Sequence, residues 1–373
     1  MRREQKRIVL QITLFILTLI TTTLAGAEWT YSKSIFMAGF TWADFVSGFE
    51  FSLPFLGIFT VHEFGHYFTA RYHGVKATLP YYIPVPPFPL SIGTFGAVIR
   101  LRSKVYSKKQ NFDIGISGPL AGFVMTMIIL FYGFTHLPEP EYIFQIHPEY
   151  KQYGLQYADH VYDNMPKEVP DISFGKNLLF LFFEKFVAEP DRVPNPHELM
   201  HYPLLYAGFL SLVFMCLNLL PIGQLDGGHV LYGLVGFKIH RIIATIFFIV
   251  LILYSGLGFI DLNMEDKENL AIWIFCSVLF LYFSLFSLGL SKINTLMYAL
   301  LILAVLLLVA QQFPGLQGYS GWLLFVFIIG RFIGVQHPPS EIEEPLDAKR
   351  VILGWIALLI FVISFSPAPF IIK

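Results

Sequence analysis

The chain has 373 residues, of which 55% are hydrophobic and 14% are charged, whereas soluble domains carry about 25% charged residues. This composition excludes an ordinary soluble enzyme. The formal net charge is −1, so there is no general basic surface, and we expect no nucleic-acid partner. The two cysteines both lie in apolar runs, which excludes a disulfide framework and a cysteine-based metal site.

Apolar runs near the length of a membrane span recur along the whole chain, and such a span needs about 20 residues. They cover residues 8–25, 49–70, 112–133, 203–220, 240–260, 271–290, 295–311, 319–334 and 351–365. The sequence therefore predicts an all-α polytopic membrane protein with about nine transmembrane helices. The first run also resembles the apolar part of a cleavable signal peptide, but its length favours a retained span.

The lysine and arginine residues orient these spans, because short positively charged loops stay in the cytoplasm. Basic residues concentrate at the N-terminus and in the segment 71–109, and we place both inside. The segment 136–202 carries eleven acidic and five basic residues, and we place it outside. We therefore expect the N-terminus and the C-terminal ends of the second and fourth spans, and with them the active site, near the cytoplasmic side of the lipid bilayer.

The second span contains the sequence HEFGH, which places His62, Glu63 and His66 inside an apolar helix. A central charge costs about 2.5 to 3.5 kcal/mol on membrane-insertion scales, so ionisable residues here indicate a function. His62 and His66 are four residues apart and share one helical face, which allows two imidazoles to bind one Zn²⁺. Glu63 is suited to act as the general base toward a metal-activated water.

A catalytic zinc usually takes three protein ligands, so a third is expected elsewhere in the chain. The sequence LNLLPIGQLDGGH, at the end of the fourth span, offers Asp226 and His229. Asp226 is favoured, because a carboxylate beside two neutral histidines leaves a net charge of about +1 and a flexible glycine-rich turn can aim it at the metal. His229 is the alternative ligand, and a plain polar turn is the alternative for the whole segment.

Together these motifs resemble the site-2 protease family of intramembrane zinc metalloproteases. HEFGH in an early span and NLLPIGQLDGGH far downstream carry the resemblance. It implies that His62, His66 and Asp226 bind the zinc. It also implies that Glu63 is the catalytic base and that Asn218 stabilises the oxyanion.

Two further segments extend the resemblance to about residues 49–235. GISGPLAGF, at the start of the third span, looks like the family's small-residue helix beside the active site. Gly122 departs from the pattern, because many relatives have Asn at this position. SIGTFGAVIRLRS is similar to the family's glycine-rich hairpin, which dips into the membrane.

The hairpin sequence 93–101 suggests how a substrate is held, and we predict a short membrane-associated β-hairpin here. A transmembrane substrate must unwind before its carbonyls can be attacked, and an extended segment recovers hydrogen bonds by pairing with an exposed strand edge. The predicted substrate-binding residues are Gly93, Phe95, Gly96 and Ala97. An ordinary loop hairpin is the alternative.

The predicted function is zinc-dependent hydrolysis of peptide bonds in or near the transmembrane segment of single-span membrane proteins, with or without a first cut by another protease. We expect a multi-pass protein of the bacterial cytoplasmic membrane. The predicted parts are a first span with its outer loop (1–48), a catalytic membrane core (49–235) and accessory C-terminal spans (236–373).

Two other functions remain open for a chain with polar residues in its spans. A metal-binding transporter usually has repeated halves, and no internal repeat is evident in this sequence. A proteolytically silent scaffold would not need the intact Glu63. Both alternatives are therefore less favoured than the protease, and the sequence leaves the substrate and the oligomeric state open.

Overall fold

The structure, a computed structural model, describes residues 3–88, 91–162, 172–260 and 267–372. Helices dominate, because in a bilayer a helix satisfies its own backbone hydrogen bonds. The helices are α1 (Arg3–Tyr31), α2 (Trp42–Ser47), α3 (Phe49–Tyr72), α4 (Lys108–Thr135), α5 (Ile143–Ile146), α6 (Tyr157–Val161), α7 (Leu178–Phe186), α8 (Pro203–Asn218), α9 (Asp226–Leu257), α10 (Lys267–Ser284), α11 (Lys292–Gln312), α12 (Leu323–Ile328) and α13 (Ala348–Ser364). The strands are β1 (Tyr81–Pro84), β2 (Thr94–Val98), β3 (Ile172–Phe174) and β4 (Phe370–Ile372).

Among the described residues, six helical stretches are long and apolar enough to cross a membrane. They are Glu4–Tyr31, Trp42–Tyr72, Lys108–Thr135, Asp226–Leu257, Leu270–Leu288 and Lys292–Gln312. Two further apolar helices, Pro203–Asn218 and Ser320–Ile333, are shorter. The 16 residues of α8 rise about 24 Å, less than the hydrocarbon thickness of about 30 Å. A multi-pass membrane protein is confirmed, but the predicted number of nine spans is not.

Helix α9 begins well before the apolar run predicted at 240–260, because the glycine-rich segment ahead of that run is itself helical. Gly236 interrupts it with a φ of 75°, a left-handed conformation that glycine adopts at little cost. Residues 163–171 of the predicted outer segment lie outside the described part of the chain.

The chain divides into two compact units. Unit 1 consists of residues 1–105, 116–217 and 359–373, and unit 2 consists of residues 106–115 and 218–358. The predicted three-part division into 1–48, 49–235 and 236–373 stays a prediction.

Unit 1 has a core rich in phenylalanine, formed by side chains of α3, α4, α7 and α8. The ring of Phe51 lies 5.2 Å from that of Tyr206, and the ring of Phe134 lies 5.1 Å from that of Phe180. Aromatic pairs at such distances add about 0.5 to 1.5 kcal/mol each beyond the burial of their area. This packing fixes the N-terminal half of α3 against its neighbours.

Strands β1 and β2 form a two-stranded antiparallel sheet in unit 1, with Tyr82 opposite Ala97. Two glycines allow the sharp changes of direction at the second strand, since Gly93 and Gly96 have φ values of 79° and 94°. Only β2 lies in the predicted hairpin sequence 93–101, and its partner β1 precedes that sequence. The association of the sheet with the membrane stays a prediction.

Helix α1 supports this sheet through polar side chains. The hydroxyl of Thr21 donates a hydrogen bond to the carbonyl of Gly93 at 2.6 Å, and the amide of Gln11 donates to the carbonyl of Leu79, also at 2.6 Å. Gly93 is needed here, because a Cβ would lie 2.4 Å from the carbonyl oxygen of Thr21. The helix and the sheet are therefore held together by both hydrogen bonds and close backbone contact.

Unit 2 is organised around α9, whose buried face includes Phe248, Leu251 and Ile252. Gly256 allows α11 to approach closely, since a Cβ there would lie 2.7 Å from the side chain of Leu306. Close van der Waals packing stabilises this arrangement, because helices in a lipid bilayer gain little from burying apolar side chains against one another.

Candidate metal centre

Two histidines of α3 lie one helical turn apart in the interior of unit 1. The Nε2 atoms of His62 and His66 are 3.1 Å apart, and the side chains are almost completely buried, with 5% and 7% of their surface exposed. In a tetrahedral zinc site with Zn–N bonds of about 2.05 Å, neighbouring nitrogens lie about 3.3 Å apart. The spacing of the two imidazoles therefore suits two corners of such a site.

Glu63 lies beside this pair and is equally buried, with 5% of its surface exposed. Its Oε1 atom is 4.0 Å from Nε2 of His62. A buried carboxylate is stable only when it faces a cation, a proton or hydrogen-bond donors. The position is suitable for a group that exchanges a proton with a molecule bound at the histidines.

The small residues of α4 create the space for the histidine rings. A Cβ on Gly118 would lie 2.1 Å from Nε2 of His66, and a Cβ on Gly122 would lie 3.3 Å from Nδ1 of His62. Gly65 of α3 makes the reciprocal approach, since its Cβ would lie 2.6 Å from the carbonyl oxygen of Ser117. The predicted packing of this small-residue helix beside HEFGH is confirmed. Because His62 lies against Gly122, this position has little room for a side chain.

In unit 2, Asp226 is the first residue of α9, and the prediction of a flexible turn at this residue is therefore wrong. The reason is close packing of the preceding loop onto the helix. Cβ atoms on Gly227 and Gly228 would lie 1.9 Å and 2.2 Å from the carbonyl oxygens of Leu219 and Gly223. Both glycines are therefore helical residues, and glycine is required because any side chain would collide with the preceding loop. The carboxylate of Asp226 is half-buried.

His229, one turn further along α9, is engaged by a residue that the sequence did not reveal. Its Nδ1 atom lies 2.8 Å from Nε2 of His337, which is 2% exposed. The Nδ1 of His337 lies 2.6 Å from the carbonyl oxygen of Pro338, to which it donates a hydrogen bond. His337 was missed because the sequence links it to His229 by no spacing or motif. The contact gives His229 a structural partner and leaves the preference for Asp226 unchanged.

The other predicted site residues occupy ordered elements. Asn218 is the last residue of α8 and is half-buried. In the hairpin, Ala97 is 9% exposed, whereas Phe95 is 70% exposed. Gly96 lies over α3, and a Cβ there would be 3.3 Å from the ring of Phe59. Strand β2 therefore contacts α3 about one helical turn before His62. Its large aromatic side chain, that of Phe95, is exposed.

Residues 50–257 match the family model described as "Peptidase family M50". A protein of Oryza sativa subsp. japonica named "Probable zinc metalloprotease EGY1, chloroplastic" is 31% identical over 187 residues, which cover 48% of this chain and 27% of that protein. The protein of the same name from Arabidopsis thaliana is 28% identical over 181 residues, covering 48% of this chain and 28% of the relative. A "Probable zinc metalloprotease EGY2, chloroplastic" of Oryza sativa subsp. indica is 26% identical over 189 residues, covering 51% and 30%.

The chain thus matches less than a third of the length of these relatives. No solved structure gives a significant match. The relatives are chloroplastic by name, so the predicted bacterial cytoplasmic membrane receives no support from them. The family match covers more than half of this chain and includes both HEFGH and NLLPIGQLDGGH, and the chain therefore belongs to peptidase family M50, the site-2 protease family.

Proposed function

We propose that this protein is a zinc-dependent intramembrane endopeptidase that cuts single-span membrane proteins in or near their transmembrane segment. The observation that carries the proposal is the buried group of His62, Glu63 and His66 in a helix long enough to cross a membrane. Family membership supports the same chemistry, and the relatives carry the name "Probable zinc metalloprotease".

The proposed zinc ligands are His62 and His66 of unit 1 and Asp226 of unit 2. Two neutral imidazoles and one carboxylate are a common ligand set of catalytic zinc and leave a fourth position open. When bound there, Zn²⁺ would act as a Lewis acid toward water and toward a substrate carbonyl. The fit rests on the 3.1 Å separation of the two imidazole nitrogens.

Two residues of the protein would carry out the proton transfer and stabilise the developing negative charge. Glu63 accepts a proton from the attacking water and returns it to the leaving amine, as a general base that becomes a general acid. Asn218 donates a hydrogen bond to the carbonyl oxygen as negative charge develops on it. The burial of Glu63 strengthens its electrostatic interactions, because less water surrounds the carboxylate.

The proposed substrate is an extended segment of a locally unwound transmembrane helix, paired with the edge of β2. Gly93, Gly96 and Ala97 would contribute backbone hydrogen-bonding groups to this pairing. Phe95 offers an exposed apolar contact beside that edge. The bilayer favours the pairing, because an unwound segment would otherwise leave its peptide groups without hydrogen bonds.

Phe95→Ala should raise KM by about tenfold and change kcat little, because it removes about 1.4 kcal/mol of contact made equally in the ground and transition states. Steady-state kinetics on a purified single-span substrate measures both constants. Phe68→Ala is the matched control, since Phe68 is also highly exposed but lies on α3. Equal effects of the two substitutions would remove Phe95 from the substrate path.

Gly118→Ala should lower cleavage by about 10²-fold without unfolding the protein. The added methyl group collides with Nε2 of His66 at 2.1 Å, the free end of a side chain, so the ring rotates and the backbone stays in place. Misplacement of a reacting group by about 1 Å can cost this much. Gly57→Ala in α3 is the control, because nothing lies within 4 Å of its Cβ position. Cleavage and circular dichroism should be measured on both, and full activity of Gly118→Ala would contradict the proposed role of His66.

The function is tested by comparing membrane proteomes of cells that carry the wild-type chain or Glu63→Gln. We expect at least one single-span protein, or a fragment of one, to accumulate uncut only with the variant. The termini of the products in wild-type membranes should lie in or near the span of that protein. Identical proteomes, or cuts only in soluble domains, would contradict an intramembrane endopeptidase.

A further inference from the structure

A second cluster of metal-binding side chains lies in the segment between α4 and α8, within unit 1. It consists of His147, Glu198 and His201, whose potential ligand atoms all lie within 4.8 Å of one another. Nε2 of His147 is 3.1 Å from Nε2 of His201, which in turn is 3.5 Å from Oε2 of Glu198. Glu198 and His201 are 2% and 3% exposed. The proposed function uses none of these residues.

The hydrogen bonds behind the two rings decide which nitrogens carry hydrogen. Nδ1 of His201 lies 2.8 Å from the carbonyl oxygen of Thr30, which can only accept, so this nitrogen carries the hydrogen. Nδ1 of His147 lies 3.1 Å from a carboxylate oxygen of Glu149 and donates in the same way. When both rings are neutral, each Nε2 atom therefore carries a lone pair and no hydrogen. The two Nε2 atoms face each other at 3.1 Å. A carbonyl or carboxylate behind the ring is the usual support of a metal-binding histidine.

The charges of the cluster also favour a cation between these atoms. Glu198 and His201 are almost completely buried. Without a cation the protein buries two imidazole nitrogens whose lone pairs face each other at 3.1 Å, together with a carboxyl group that has little access to water. A divalent ion would offset both costs, because it attracts the lone pairs and stabilises the carboxylate.

We propose that His147, Glu198 and His201 form a second metal site, for Zn²⁺, in the segment between α4 and α8. Two imidazoles and one carboxylate suit zinc. The separations of 3.1 Å and 3.5 Å lie on either side of the roughly 3.3 Å expected between ligands of a tetrahedral zinc ion. His147 is half-buried, so the cluster is not completely shielded from solvent.

The surroundings assign this site a structural role. His201 is anchored to the end of α1 through Thr30, and its turn leads directly into α8. On the other side, the ring of His147 stacks on that of Tyr150 at 4.6 Å. A shared metal ion would therefore join three parts of the chain, namely the end of α1, the segment after α4 and the entrance to α8. Tyr162 donates a hydrogen bond to Glu198 and holds the carboxylate in place.

The experiment counts zinc in a chain that carries His62→Ala and His66→Ala, so that the candidate centre on α3 does not contribute. The purified full-length protein in detergent is stripped with a chelator, dialysed against ZnCl₂ and analysed by plasma mass spectrometry. We expect about one Zn²⁺ per chain. Adding His147→Ala, or separately Glu198→Gln, should reduce this by at least about tenfold. His136→Ala is the matched control, because His136 is an exposed histidine of the same segment, and it should leave the zinc in place.

A second measurement separates loss of the ligand from loss of the fold. Zn²⁺ should raise the melting temperature of the His62→Ala/His66→Ala chain, and this rise should vanish when His147→Ala is added, while the zinc-free melting temperatures stay similar. A zinc-free His62→Ala/His66→Ala chain with an intact fold would overturn the proposal and indicate that a proton joins the two rings. This result is independent of the proposed protease function, which is tested at His66 and Glu63.

Discussion

Replacing Glu63 by Gln should greatly slow peptide cleavage while the protein keeps its fold and its zinc. The amide has almost the same shape as the carboxylate, but it cannot accept the proton of the attacking water. General acid–base catalysis contributes about 10² to 10⁴ in rate, and we expect a loss in this range for kcat/KM. The measurement is cleavage of a purified single-span substrate in detergent or liposomes, with zinc counted in the same samples.

Asn218→Ala tests whether Asn218 stabilises the oxyanion. Loss of one oxyanion donor typically costs about 10² to 10³ in turnover, so kcat should fall while zinc is retained. An unchanged rate would make Asn218 a structural residue at the end of α8. Residual activity of Glu63→Gln within about tenfold of the wild type would show that Glu63 is not the essential base.

Replacing His66 by Ala should remove the catalytic zinc. The variant removes one of the three proposed ligands, and zinc held by only two protein ligands binds far more weakly. The measurement is best made in a His147→Ala background, so that the segment between α4 and α8 adds no metal. We expect zinc to fall from about one ion per chain to less than about a tenth of that. Full zinc content would refute His66 as a ligand.

Two single substitutions in the His147→Ala protein identify the third zinc ligand. Asp226→Ala should weaken zinc binding strongly, whereas His229→Ala should leave it nearly unchanged. The two residues lie one turn apart on α9, and Nδ1 of His229 already contacts His337. The reverse outcome would assign the ligand to His229 and make Asp226 a residue that only begins the helix.

The central features of the candidate site could be predicted because they are local in sequence. A helical period places His62 and His66 on one face, and apolar flanks place that face inside a membrane-length helix. GISGPLAGF likewise indicates close helix packing, because small residues allow backbones to approach. The structure agrees with both interpretations at Gly118 and Gly122.

The errors arose where tertiary contact decided the local structure. Gly227 and Gly228 suggest a flexible turn, but their missing side chains admit Leu219 and Gly223, and the residues stay helical. The pairing of His229 with His337 joins residues separated by 108 positions, which no local pattern indicates. The predicted nine spans are not confirmed, since only six helical stretches of the described residues are long and apolar enough to cross a bilayer, and an apolar run does not reveal the length of its helix.

The hydrogen bonds from α1 to the β-sheet have a consequence for the entropy of substrate binding. Thr21 and Gln11 fix the backbone carbonyls of Gly93 and Leu79 before any substrate arrives. A strand that is already ordered loses little conformational freedom when another chain pairs with it, whereas a loose loop would lose about 1 to 2 kcal/mol for each residue it orders. The unwound substrate would therefore be the main partner to lose freedom. Helices that unwind easily, with glycine or proline near the cut, should be preferred over equally apolar helices without them.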